Sequence, residues 1–354
     1  MKKHNFSAGP SILPKEVIEG AAKAVIELDN IGLSLIEISH RSKEFIAIME
    51  ESCQRALQVL NLENKGYKAM FLHGGASLQF LMAAYNLLEN KAGYVNTGTW
   101  STKAIKEAKL FGEVTELASS KEDNFNYIPK DYDIPSGLDY VHLTTNNTIF
   151  GTQFKEIPTT DAFLVADMSS DIFSREFDYS KFDLFYAGAQ KNMGPSGITL
   201  VVVKESILGK VTRTIPSMMD YAVHAKADSM FNTPPVFPIY TALLNLRWIE
   251  ANGGLKGVGA NNAKKAALIY NEIDRNPLFN GFAAVEDRSE MNATFNLVDE
   301  SHATVFDKLW REAGINGLKG HRSVGGYRAS IYNALPTESI EVLISCMKEF
   351  EKNI

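Results

Sequence analysis

Lys191 is the residue of this chain whose surroundings most suggest chemistry. It follows an apolar, aromatic-rich run of strand length, 184–187, and precedes a β-branched run, 198–203. Gly188, Gly194, Pro195 and Gly197 supply turn chemistry between the two runs. Ala189, Met193 and the glycines frame the lysine, and no acidic residue stands next to it. A compact amine on a flexible stem, partly desolvated, is what Schiff-base chemistry requires. The bland alternative is a lysine in a surface loop. Asp167 closes another short apolar run, 163–166, so the spacing predicts an acid and an amine at the ends of neighbouring strands.

Other polar residues fall at comparable points. Residues 69–72 read as a strand, His73-Gly74-Gly75-Ala76-Ser77 as a turn and 78–88 as a helix. A small-residue turn that opens a helix exposes unpaired N–H groups and the positive end of the helix dipole, a phosphate site. The plainer reading is an ordinary β–α connection with Ser77 as N-cap. The turn is not a Walker loop, since no Gly-Lys-Ser/Thr follows, and no GxGxxG fingerprint occurs in the chain. Trp100 follows a strand around 93–95, either as core packing or as a platform for a ligand. Thr148 lies in a polar cluster after a strand at 140–143. Ser77, Trp100, Thr148, Asp167 and Lys191 thus stand at successive strand ends, where ligands gather in α/β sheets. An imine-forming lysine, an acid to pair with a pyridinium nitrogen and a phosphate cup are the requirements of pyridoxal phosphate. The carboxylate would keep such a ring nitrogen protonated, Trp100 could stack on one ring face, and Thr148 could hydrogen-bond the phenolic oxygen.

Short buried strands alternating with helical stretches predict an α/β fold with a mainly parallel sheet. The expected division is an N-terminal arm at 1–14, a large domain at 15–252 and a smaller α+β C-terminal domain at 253–354, with a hinge at Ala251-Asn252-Gly253-Gly254. Two cationic groups remain: His40-Arg41, ahead of a helical pattern, and the glycine-rich segment 320–328 with His321, Arg322 and Arg328. Each is either an anion contact or a solvated loop. The net charge of -6 argues against nucleic-acid and membrane-surface binding. No apolar run reaches about 18 residues, and the N-terminus has no signal-peptide core. Cys53 and Cys346 lie far apart in helical patterns, which predicts neither a disulfide nor a metal site and fits the cytoplasm.

The motifs NFSAGPSILP, SHRSKEF, GGASLQF, NNTIFGTQF, VADMSSDIFSR, YAGAQKNMGPSG, FNTPP and GHRSVGGYRASIYNA run nearly end to end. Together they resemble the phosphoserine aminotransferases, pyridoxal-phosphate enzymes of fold type I in the class-V aminotransferase family. The resemblance implies that Lys191 carries the cofactor, Asp167 pairs with its pyridine nitrogen, Trp100 stacks on it and Thr148 contacts it. It assigns the cofactor phosphate to Ala76, Ser77 and Gln190, with Asn232 and Thr233 reaching it from the second subunit of a homodimer. It gives the substrate's carboxylate and phosphate to Arg41 with His40, and to Arg328 with His321 and Arg322. Some members of the family carry an arginine in the phosphate-cup turn where this chain has Ser77. One cation fewer leaves the division of labour among Arg41, Arg322 and Arg328 open.

The implied reaction is 3-phosphohydroxypyruvate plus glutamate giving phosphoserine plus 2-oxoglutarate, by ping-pong kinetics, in serine biosynthesis. Whether the hydroxythreonine precursor of vitamin B6 is also aminated stays open. The rival readings are another small-substrate aminotransferase of the same fold, a cysteine desulfurase, and a non-catalytic phosphometabolite-binding module. A desulfurase needs a mobile catalytic cysteine, which neither Cys53 nor Cys346 offers.

Overall fold

Runs rich in Val, Leu, Phe and Tyr, buried on both faces, build the central sheet of this computed structural model, which describes residues 3–354. Residues 1 and 2 of the expected arm lie outside the described residues. The chain begins with β1 (His4–Asn5), α1 (Lys15–Ile26) and α2 (Lys43–Val59). The sheet strands are β2 (Tyr67–Leu72), β3 (Lys91–Asn96), β4 (Glu113–Ser119), β5 (Tyr140–Thr144), β6 (Phe163–Asp167), β7 (Leu184–Gly188) and β8 (Thr199–Lys204). Their spatial order is β2-β8-β7-β6-β5-β3-β4. Neighbours pair in parallel except at β8, which runs antiparallel to both β2 and β7. The cause is local: β7 and β8 are joined by a short loop, too short for a crossover helix, so the chain must turn back. β2 and β4 are the edge strands, and the half-exposed pattern of β4, with Glu113 and Glu116 in solvent, hides it from periodicity.

Alternation along the strands divides the core in two. Phe71, Val141, Leu164, Ala166, Phe185 and Val202 face α1, α2 and α6 (Val236–Ala251). Met70, Tyr140, Val165, Tyr186 and Val201 face α3 (Gly75–Leu87), α4 (Thr99–Ala108) and α5 (Tyr221–Lys226). Each fully buried Val, Leu, Phe or Met among them is worth about 1.5–3 kcal/mol.

After α6 the chain breaks at Gly253 and Gly254, both at positive φ, and starts α7 (Gly254–Arg275). A smaller unit follows. β9 (Phe279–Gly281), β10 (Asn292–Leu297) and β12 (Tyr327–Ser330) form an antiparallel sheet in the order β12-β10-β9. It packs with α7, α8 (Ala303–Glu312) and α9 (Thr337–Asn353) around a third core. The arm is more than a connector. β1 pairs in parallel with β11 (Ile315–Asn316), and Phe6 is buried in the third core. The arm then crosses to the large sheet, where the Ser11 N–H donates to the Gln190 carbonyl at 3.0 Å. A two-residue strand is too short for periodicity to reveal.

Lys265, buried in α7, donates to the carbonyls of Ile331 (3.0 Å), Tyr332 (2.6 Å), Asn333 (3.4 Å) and Leu335 (3.3 Å). It thereby ties down the turn between β12 and α9. Lys265→Met keeps the stem but strands these acceptors, so the urea midpoint should fall by the equivalent of about 1–3 kcal/mol. An unchanged midpoint would show that the turn holds without the ammonium.

Candidate active site

Beyond β7 the backbone winds tightly around one carbonyl. Lys191, Met193 and Gly194 all donate their N–H groups to Ala189 O, at 2.7, 3.2 and 2.8 Å. This turn seats Lys191 against the fully buried Ala189 and Met193. Its Nζ donates to Thr148 Oγ1 at 2.6 Å, a neutral hydroxyl rather than a carboxylate. Burial lowers the ammonium's pKa to about 8; Asp167 nearby pulls it up and Arg328 pushes it further down.

Asp167 ends β6, the parallel neighbour of β7, so the sheet places acid and amine side by side. Its Oδ1 accepts from the Ser169 N–H at 2.9 Å. Burial raises its pKa above the usual carboxylate value, while the Ser169 contacts and the Lys191 charge act in the opposite sense. Trp100 stands in the first turn of α4, and its ring centroid lies 5.9 Å from Lys191 Nζ. Trp100 Nε1 is buried without a hydrogen-bond partner. Arg328, on β12 of the smaller unit, reaches the large unit, its NH1 group donating to Thr148 O at 3.2 Å. Its Nε is likewise buried and unpartnered.

Ala76 and Ser77 lie in the first turn of α3, which starts at Gly75, earlier than the sequence pattern suggests. Ser77 is therefore not the N-cap. That position is Gly74, at φ +93, where an added Cβ would come within 2.3 Å of Leu78 Cδ2. A Gly-Gly pair reads as turn, which is why the helix start was misplaced. No side chain caps α3, so its leading N–H groups lack helical acceptors and face outward as anion donors. Gln190 folds its side chain over Gly188, where a Cβ would meet Gln190 Oε1 at 2.8 Å. Thr233, beside the half-buried Asn232, accepts from His73 Nε2 at 3.1 Å through its carbonyl, next to the Gly74 turn of the same chain.

The two cationic groups part company. His321 Nδ1 and Ser323 Oγ are 2.7 Å apart. Burial and the charges of Arg328, Arg322 and Lys103 hold the His321 pKa below its usual value. Arg41 is exposed, with Nε 3.4 Å from His40 Nε2, and among the described residues no hydrogen bond or ion pair ties either to Lys191, Thr148 or Arg328. Further contacts around the site carry no signal in the sequence. Ser11 Oγ donates to the Lys191 carbonyl, and Tyr332 Oη donates to Ala8 O at 2.8 Å. The arm motif NFSAGPSILP was visible, but nothing in it says which strand end it covers. Cys53 and Cys346 are both free, and burial pushes their thiols up to about 12 and about 11, which removes a thiolate nucleophile.

The unpaired groups form a coherent donor set. A buried amine, a buried acid beside it, an uncapped helix start and two orphaned donors, Trp100 Nε1 and Arg328 Nε, match a phosphorylated pyridine aldehyde with an anionic substrate. The residues fit the cofactor that the sequence motifs imply.

A model of class-V aminotransferases matches residues 3–343. A phosphoserine aminotransferase of Flavobacterium johnsoniae is 63% identical, over 100% of both chains. Among solved structures, the phosphoserine aminotransferase from Bacillus circulans subsp. alkalophilus superposes with a TM-score of 0.96 at 46% identity, over 99% of each chain. A phosphoserine aminotransferase from Trichomonas vaginalis with bound pyridoxal phosphate superposes with a TM-score of 0.92 at 35% identity, over 98% of this chain and 100% of that one.

Only a neutral amine adds to a carbonyl. The rate at which an aromatic aldehyde modifies Lys191 in the cofactor-free protein should therefore climb with pH through about 8 and level off above it. A rise centred on the ordinary 10.5 would mean that the amine is solvated.

Proposed function

The chain belongs to the class-V aminotransferase family, and we propose that it works as a phosphoserine aminotransferase, moving the amino group of glutamate to 3-phosphohydroxypyruvate. The observation that carries this reading is the buried Lys191 amine, bonded to the Thr148 hydroxyl, beside an acid on the adjacent strand. Bound pyridoxal phosphate supplies an electron sink for charge developing at the substrate's Cα. Every other task falls to side chains of the chain. Lys191, uncharged above about pH 8, takes the proton from Cα and returns it, acting as general base and then acid. Thr148 fixes the direction of that amine. Asp167 would keep positive charge on the ring nitrogen of the bound cofactor, because an opposite charge beside it favours the charged form. Ala76 and Ser77 at the uncapped start of α3, with Gln190, would hold the cofactor phosphate, and Trp100 would cover the ring.

The substrate's anionic ends belong to Arg328 with His321 and Arg322, and, as the more remote pair, to Arg41 with His40. A homodimer is part of the proposal, with Asn232 and Thr233 reaching the neighbouring site. The division into a large domain at 15–252 and a small one at 253–354, a cytoplasmic setting, a place in serine biosynthesis and a secondary role toward the vitamin B6 precursor belong to the same proposal. Among the described residues no helix is long and apolar enough to cross a membrane.

Lys191→Ala should abolish turnover, and borohydride should no longer fix the cofactor to the chain; near-normal transamination by this variant would sink the assignment. Arg328→Ala should cost about 1.5–3 kcal/mol of discrimination for phosphorylated over unphosphorylated ketoacid, read as a ratio of kcat/KM values. Unchanged discrimination would move the phosphate contact elsewhere.

A further inference from the structure

We propose that Asn147 is a positioning residue for the reaction, clamping the turn that carries Trp100 to the turn that carries Thr148; this rests on the reading of those two residues as cofactor contacts given above. Both face the reactive amine. The Trp100 ring centroid lies 5.9 Å from Lys191 Nζ, and Thr148 Oγ1 lies 2.6 Å from it. Trp100 follows β3, and Thr148 follows β5, its parallel neighbour. The ladder between these strands ends at Tyr94 opposite His142, and the two turns lie beyond it. Their spacing is therefore set by side chains.

One amide spans the gap. Asn147 Nδ2 donates to Thr97 Oγ1 at 3.0 Å, in the Trp100 turn, and to Thr152 Oγ1 at 3.3 Å, in its own. The three side chains are fully buried, so water does not replace a lost bond. The amide also sets the closeness of approach: a Cβ on Gly98 would come within 2.6 Å of Asn147 Oδ1. That oxygen has no hydrogen-bond partner among the described residues, a cost borne where the nitrogen is needed. Each end of the clamp is itself anchored. The Thr148 turn closes through the Asn147 N–H, which donates to Thr152 O at 2.7 Å, and Thr294 Oγ1 of β10 donates to Phe150 O at 2.9 Å. On the other side the Thr97 N–H donates to Ser101 Oγ at 3.0 Å, fixing the start of α4. A shift between the two turns therefore moves the indole relative to the hydroxyl that directs Lys191, and proton transfer tolerates little misplacement.

The test uses the cofactor-loaded protein. Asn147→Ala removes the clamp, Thr97→Val removes one bond while keeping the shape, and Thr97→Ser keeps the hydroxyl. Thr152→Val is the control, since it removes the other bond without touching the Trp100 turn. For each, kcat, KM, the thermal midpoint and the quenching of Trp100 emission by the cofactor are measured, the other two tryptophans being subtracted with Trp100→Phe. Thr97→Val should lower kcat about tenfold with KM nearly unchanged, and weaken the quenching. Thr97→Ser should restore both. Thr152→Val should lower the midpoint but leave kcat and quenching at their wild-type values. Asn147→Ala should match Thr97→Val, and the double variant should lose no more than Asn147→Ala alone. Wild-type kcat and quenching in Thr97→Val, or an equal loss of kcat in Thr152→Val, overturns the proposal. A wild-type protein whose Trp100 emission is not quenched by the cofactor would instead remove the placement of the indole over the ring, and this inference with it.

Discussion

A primary amine buried at the end of a strand is costly to keep charged, and the site depends on how the chain handles that amine. The partner of Lys191 is a hydroxyl, Thr148 Oγ1, rather than an acid in direct contact. The nearest functional carboxylate, Asp167, is occupied by the Ser169 N–H and influences the lysine only through its field. This arrangement leaves a nucleophilic amine near neutral pH and an acid free to pair with something else. A direct Lys–Asp ion pair would satisfy both groups and abolish the chemistry of each.

Topology is what allows the compromise. Parallel strands present their carboxyl ends along one edge, so residues remote in sequence meet there without any long loop. The antiparallel β8 serves the same end, because the tight return from β7 winds the 189–194 turn around a single carbonyl and seats Lys191. The second unit closes the site from the other side. Arg328 on β12 reaches the Thr148 carbonyl, and the arm, anchored by β1 and Phe6 in the small core, lays Ser11 across the Lys191 backbone. Thr148 is thus held from both units, by Lys191 and by Arg328.

What could be read from sequence follows from this physics. Continuous apolar runs mark strands buried on both faces, so β2, β5, β6, β7 and β8 stood out, and with them Asp167 and Lys191. The exposed edge strand β4 and the two-residue β1 carry too little pattern to be seen. The start of α3 was misplaced because Gly74 caps through its backbone conformation, not through a side chain that a sequence would display. Cations were the hardest to assign. Arg41 and Arg328 both sit near glycine or serine in polar segments, yet one is exposed and apart while the other is hydrogen-bonded to Thr148 O. Only the fold decides which arginine faces the strand ends.

The most direct test is a crystal structure of the protein loaded with pyridoxal phosphate. The account predicts continuous density from Lys191 Nζ into the cofactor, with an Asp167 carboxylate oxygen at hydrogen-bond distance from the pyridine nitrogen. A cofactor bound with the Lys191 side chain turned away, or with its ring nitrogen facing a group other than Asp167, would contradict it.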